Sequence, residues 1–163
     1  MSSEQNPKDS LSFDNNLPHP WQDVVKAVWI KYPNKKIPQV LWERVIDIEK
    51  TENGYVVTKL KQAYQTFKCV KLYSLTTYDF QFKDQILNYR EQVVKGLTKG
   101  LFKPLEISRY SAKDLESVDY IKTYFNLGSF SRMKSSFMQK NLEGIDILKE
   151  LILNKQWMNL TLN

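Results

Sequence analysis

Residues His19–Asn34 read HPWQDVVKAVWIKYPN, a segment framed by Pro20 and Pro33. Trp21, Val24, Val25, Val28, Trp29 and Tyr32 recur at steps of three and one, which places them on a single stripe of a helix. Pro20 suits the first helical position, where its missing N–H would have had no helical partner. Asp23 sets negative charge near the positive end of the helix dipole. Pro33 disfavours helical geometry in the residue before it, so the spacing predicts that the helix stops at Tyr32.

Outward from this helix the period changes from three-and-four to two. LSF at 11–13 precedes it as a short strand, and the hundred or so residues after it read as antiparallel strands. Val40, Trp42, Ile46 and Ile48 share one parity within 38–49, interrupted by Arg44. Thr51-Glu52-Asn53-Gly54 forms a hairpin connection, Asn-Gly tolerating positive φ. YVVTKLKQA (55–63), FKCVKLYSLTT (67–77), DQILNYREQVV (84–94), LFKPLEISRY (101–110) and SVDYIKTYF (117–125) continue the pattern. Beyond Gly128 helical spacing returns through Phe130, Met133, Phe137, Ile145, Leu148 and Ile152, running to about Trp157, with Gly144 expected to weaken or bend this helix. The order strand, helix, six strands, long helix predicts an α+β domain over 10–158. In it a curved seven-stranded antiparallel sheet is packed by an N-terminal helix and a long C-terminal helix, with room for a cavity between the layers. Residues 1–9 read as a polar tail and 159–163 as a short one.

Composition sets bounds on function. The 163 residues carry 42% hydrophobic and 26% charged side chains, ordinary for a globular domain. Nine Tyr, eight Phe and four Trp favour strands and a large apolar interior. No apolar run reaches the roughly 20 residues a membrane-spanning helix needs. Net charge is +6, and because residues 1–20 hold Lys8 against Glu4, Asp9 and Asp14, the body carries +8. That surplus suits an anionic partner: a lipid surface, a nucleic acid or an acidic protein. Cys69 and His19 are the sole residues of their types, which excludes an internal disulfide, a Cys/His zinc set and a Cys–His catalytic pair. No nucleophile motif, Gly-rich phosphate loop or metal-ligand spacing is present, so the expectation is a protein without catalytic residues, bound metal or cofactor. Nucleic-acid binding lacks an RNP-like aromatic motif or a dense Arg cluster.

The residues that carry a resemblance are Pro20-Trp21, Lys31-Tyr32-Pro33-Asn34, the IPQV that follows, and the strand ending near Asn53-Gly54. Over 13–62 the chain resembles the PRELI/MSF1 domain, which also opens with a short strand and a helix bearing an early Trp, then a basic residue before Tyr-Pro-Asn. Beyond 62 the resemblance rests on element order. It implies a phospholipid-binding protein of the mitochondrial intermembrane space, peripheral to the inner membrane and lacking a cleavable presequence. Such a protein would carry phosphatidic acid or phosphatidylserine between membranes, with a small twin-cysteine-motif helper as partner. By the same resemblance Lys31 faces the lipid phosphate, with Lys59 and Lys134 as further basic candidates. Tyr32, Pro33, Asn34 and Gln39 shape the pocket edge, and Trp29, Val40, Trp42 and Phe137 line it. From their place on the helical stripe, Trp21 and Trp29 are read first as core anchors, with the lining of an acyl-chain cavity as the alternative for Trp29.

Two departures stand out. The family inserts a helical lid between the third and fourth strands, whereas Ala63-Tyr64-Gln65-Thr66 leaves almost no room for one. Gln39 stands where some relatives have His, and KGLTKGL (95–101) is a short basic connection. The missing lid opens an alternative: an accessory subunit of a mitochondrial inner-membrane assembly, such as a respiratory complex, that no longer transfers lipid and lays residues 1–16 on another protein.

Overall fold

A computed structural model describes residues 10–64, 70–96, 105–127 and 134–154. Phe130, Met133, Trp157, Cys69, Gln65, Thr66, most of the 95–101 connection and both tails lie outside the described residues. Helix α1 spans Trp21–Ile30 and α2 spans Lys134–Leu153. The strands are β1 (Leu11–Leu17), β2 (Val40–Lys50), β3 (Gly54–Tyr64), β4 (Lys71–Gln81), β5 (Ile86–Lys95), β6 (Leu105–Ala112) and β7 (Val118–Phe125). They form one antiparallel sheet in the order β1-β7-β6-β5-β4-β3-β2. The α+β architecture expected from the sequence is the one observed: a curved seven-stranded sheet with both helices against one face. No helix among the described residues is long and apolar enough to cross a membrane.

Local chemistry explains the element boundaries. Pro20 caps α1 rather than entering it: its φ of −56° and ψ of 142° are extended, and its carbonyl accepts the N–H groups of Asp23 and Val24. The helix ends two residues earlier than the proline rule placed it, because Lys31 already closes a tighter turn onto the Val28 carbonyl. Asn34 Oδ1 accepts the Lys36 N–H at 2.9 Å, the side-chain turn expected of Asn at this position. The link between β3 and β4 is confined to 65–70, and β4 begins at Lys71 and extends to Gln81. Helix α2 runs unbroken through Gly144.

Strand β2 holds the main correction. Irregularities in its pairing with β3 fall between Val40 and Trp42 and between Val45 and Asp47. Each adds a residue to β2, and cross-strand partners share a face. The side chains of β2 facing the helices are therefore Val40, Glu43, Val45 and Ile48, opposite Ala63, Lys61, Lys59 and Val57. Trp42 and Arg44 point to the other side, opposite Gln62 and Leu60. Strict alternation had kept Trp42 with Val40.

Between sheet and helices lies the core: Leu17, Val24, Ala27, Val118 and Leu148 are almost wholly buried. Each such aliphatic larger than Ala contributes roughly 1.5–3 kcal/mol by leaving water. Gly54 closes the β2–β3 hairpin through Thr51 N–H to its carbonyl, 2.9 Å. Its role is room rather than positive φ, since a side-chain carbon there would sit 1.8 Å from the Phe80 carbonyl oxygen. Gly54→Ala is expected to cost about 1–3 kcal/mol, the range for overpacked sites. A urea midpoint equal to wild type would contradict this.

Candidate functional site

The helix-facing side of the sheet is apolar at its ends and charged in the middle. Three ion pairs are buried there. Lys59 Nζ meets Glu43 Oε2 at 2.9 Å, Lys122 Nζ meets Glu106 Oε1 at 2.8 Å, and Lys61 meets Glu91. Ser74, Thr76 and Ser108 are buried beside them, and their small side chains let the long lysines and glutamates lie across the sheet. Tyrosines complete the polar layer: Tyr78 donates to Glu43 at 3.1 Å and Tyr89 donates to Glu91. Among the described residues no buried side-chain polar atom lacks a partner.

The charge states follow from competing effects. Burial pushes the Glu91 carboxyl up, but the Lys61 ammonium beside it overrides this and holds it below the ordinary carboxylate range. Burial likewise works against charge on Lys61 and Lys122, yet Glu91 and Glu106 raise both above the usual lysine value. Lys59 is the exception: burial outweighs the attraction of Glu43 and lowers it. Burial raises the hydroxyls of Tyr78, Tyr89 and Tyr110 well above the ordinary range.

Among the described residues the centre of the fold is nearly filled. Under Val28 and Tyr32 only a slot of about 10 Å³ remains between Tyr78, Tyr89, Tyr110 and Lys122, room for about one water molecule. Open hollows flank it. The first, about 490 Å³, lies between α2, the 31–39 segment and β6–β7; its wall holds Tyr32, Gln39, Tyr124 and Gly144 and is mixed in charge, with Lys31, Lys36, Lys122 and Lys140 beside Glu106, Glu143 and Asp146. A second, about 450 Å³, lies between the end of α1 and β2, against Trp29, Tyr32, Pro33, Glu43, Val45 and Lys59. The third, about 490 Å³, is an apolar groove between α1 and β2–β4 formed by Val25, Trp29, Ile30, Val57, Phe80 and Phe82, with Lys26 also lining it. Tyr32 is shared by the first two; Trp29 and Ile30 are shared by the last two.

Several residues singled out from the sequence meet here. Lys31 is half-buried with its ammonium 5.3 Å from the Tyr32 ring centroid. Gly144 of α2 leaves it space: a side-chain carbon there would lie 3.4 Å from Lys31 Nζ. Among the described residues Lys31 forms no ion pair. Trp29 lines two hollows, edge-on to Tyr78 and Phe80 at 5.4 and 5.8 Å. Lys59 reaches the second hollow, but its ammonium is held by Glu43 and lies 3.4 Å from the Trp29 ring centroid.

Other candidates lie elsewhere. Lys134 is exposed at the start of α2 and lines none of these hollows. Val40 is buried in the core. Phe137 packs on Tyr124 at 5.0 Å, beside the first hollow rather than in its wall. Trp42 is on the outer face of the sheet, its indole N–H donating to Gln62 Oε1 at 2.8 Å. Glu43, Glu106 and Lys122 were missed, although Lys122 alternates with Val118, Tyr120 and Tyr124 on the inward parity of β7. A charge on an otherwise apolar parity was the available signal. No cluster of metal-ligating side chains occurs among the described residues.

This geometry, a long helix held across a curved antiparallel sheet, is the helix-grip class of α+β folds. No family model matches the chain, and no curated protein sequence is significantly similar to it. Solved structures are similar in fold. The protein TTHA0849 from Thermus thermophilus is 15% identical with a TM-score of 0.59, over 90% of this chain and 98% of that one. Ara h 8.0201 is 16% identical with a TM-score of 0.57, over 89% and 99%. The ZhuI aromatase/cyclase from Streptomyces sp. R1128 is 9% identical with a TM-score of 0.59, over 90% and 94%. At these identities the likeness is one of architecture.

Proposed function

We propose that this chain binds an anionic amphipathic lipid of the phospholipid class without catalysing a reaction, and moves it between mitochondrial membranes as the PRELI/MSF1-like sequence of 13–62 implies. The observation that carries this reading is the succession of hollows. It begins at Lys31, a half-buried cation that forms no ion pair among the described residues, and passes Tyr32 and Trp29 to an apolar groove ending at Phe80 and Phe82. Each hollow falls within the roughly 300–1,000 Å³ range of ligand sites. An ammonium that is partly shielded from water attracts a phosphate more strongly than one in bulk solvent. The apolar tail would lie beside α1 rather than beneath α2, because tyrosines and ion pairs occupy the centre.

Native mass spectrometry of the gently purified protein, followed by lipid extraction and liposome transfer, tests this. A co-purifying phospholipid and transfer of phosphatidic acid or phosphatidylserine are expected. Lipid-free protein that moves neither overturns the reading.

A second reading, a non-transferring subunit of an inner-membrane assembly, is favoured by the exposed Ile48, Tyr55 and Phe82 lining the apolar groove, 61%, 42% and 51% accessible. Such a cluster marks an interaction site. Migration of the native protein only as a small free species would exclude it.

A further inference from the structure

The outer face of the sheet, turned away from both helices, carries a feature that the hollows do not use. Trp42, Gln62, Tyr73 and Lys95 are successive cross-strand partners on β2, β3, β4 and β5. Gln62 is buried between the two rings, accepting from the Trp42 indole and donating to the Tyr73 hydroxyl. Both aromatic polar groups are thus satisfied, and the rings are only half-buried. Cations sit on them: the Arg44 guanidinium carbon is 5.1 Å from the Trp42 ring centroid, and Lys95 Nζ is 5.9 Å from that of Tyr73. Lys71 joins the same face in the next row, opposite Tyr64.

Arg44, Lys71 and Lys95 are all exposed. Acidic residues of this face, Asp47, Glu49, Asp79, Asp119 and Asp14, fall in the Thr58 row or beyond, toward the far end of the strands, where Arg90 and Arg109 also lie. Among the described residues the end of the outer face at Trp42 and Tyr73 carries cations without acids, and the other end carries mixed charge with acids in excess.

We propose that this corner of the sheet, Trp42, Arg44, Tyr73, Lys71 and Lys95, docks on an anionic membrane surface. Trp and Tyr with satisfied polar tips are at home at the headgroup level, and lysines and arginines beside them are attracted by the negative surface potential. Base stacking on RNA is the lesser fit, because both rings lie back against Gln62 and already carry cations. Position adds a further argument, one that rests on the lipid-binding reading above. The Tyr64 N–H donates to the Gln39 carbonyl at 2.8 Å, and Gln39 lines the hollow that holds Lys31. Docking at this corner would bring that hollow next to the bilayer.

The test is co-sedimentation of the full chain with phosphatidylcholine vesicles containing or lacking phosphatidylserine, at low and at physiological salt. Binding should require phosphatidylserine and weaken with salt. Each surface cation contributes about fivefold to such partitioning, so Arg44→Glu, Lys71→Glu and Lys95→Glu together should reduce it about 100-fold or more. These exposed positions leave the core untouched, and unchanged thermal unfolding verifies that. Vesicle binding undiminished by the triple substitution overturns the proposal. So does a wild-type protein that ignores the vesicles but binds single-stranded RNA through the same residues. Failure of the lipid-binding reading looks different: Lys31→Glu would leave lipid content unchanged, whatever the vesicles show.

Discussion

Replacing Lys61 with methionine is expected to destabilise the fold by about 3–5 kcal/mol, the cost of leaving a buried charge without its partner. Lys61 and Glu91 lie on β3 and β5 and reach each other across β4. Their side chains are 5% and 19% accessible, so water can replace the lost ammonium only in part. For a domain of this size each kcal/mol lowers the melting temperature by about 2–4 °C, which makes the loss easy to measure. The double substitution Lys61→Met/Glu91→Met removes both charges and should recover most of it, since buried pairs contribute little net stability over well-packed apolar replacements. Tyr89 and Ser74 then lose an acceptor, and that sets the remaining deficit.

The pH dependence gives an independent check with a defined sign. In the wild type the Glu91 carboxyl is held below its ordinary value. Its contribution is thus present above the unfolded-state carboxylate value and is lost as pH falls through the lower folded value. In Lys61→Met the override is gone, and burial, opposed by the hydrogen bonds from Tyr89 and Ser74, is expected to raise the folded value above the unfolded one. The cost of the lone carboxylate is then relieved as pH falls, so the stability gap between variant and wild type narrows on acidification. Lys61 itself contributes no slope near neutrality: its value is raised, so its stabilisation is complete below the unfolded lysine value and fades only above that. A gap that stayed constant from pH 7 to pH 4 would show that Glu91 is not charged in the interior.

The periodicity of His19–Asn34 and the later return to helical spacing made the helices, the succession of strands along the chain and the layer arrangement legible in the sequence, but not the order of the strands in the sheet. What could not be read was which face each β2 residue takes. The two added residues at Leu41 and Ile46 reverse the parity twice, moving Trp42 outward and Glu43 inward. Alternation holds only while pairing is regular, and a single sequence does not mark where it slips. The site was legible in the same proportion. Lys31 and Gln39 reach one hollow and Trp29 lines the groove beyond it, because short-range chemistry around Pro33 fixes that segment. Glu106, Lys122 and Gly144 arrive from β6, β7 and α2, and only tertiary packing brings them to Lys31. The inward lysines of β3 were visible as charges on an apolar parity, but their carboxylate partners on β2 and β5 were not.

Lys31 carries the second large effect. If its ammonium holds the phosphate, Lys31→Ala removes a hydrogen bond to a charged group, a loss of about 1.5–3 kcal/mol or roughly 10- to 150-fold in affinity. Lys31→Glu adds repulsion and should abolish co-purification of an anionic phospholipid. Neither substitution breaks an ion pair among the described residues, so melting temperature should change little. That separates this position from Lys61, where stability falls and ligand content follows only because the fold is lost. Zwitterionic lipids, whose phosphate is already balanced, should lose less than phosphatidic acid does, and the ratio of the two in extracts of Lys31→Ala reads this directly. Lys59→Met provides the contrast: its ammonium is already held by Glu43 and Trp29, so it should lower stability without changing which lipid is chosen. Equal lipid content and equal headgroup preference in Lys31→Ala and wild type would move the headgroup site away from the Tyr32–Gly144 hollow altogether.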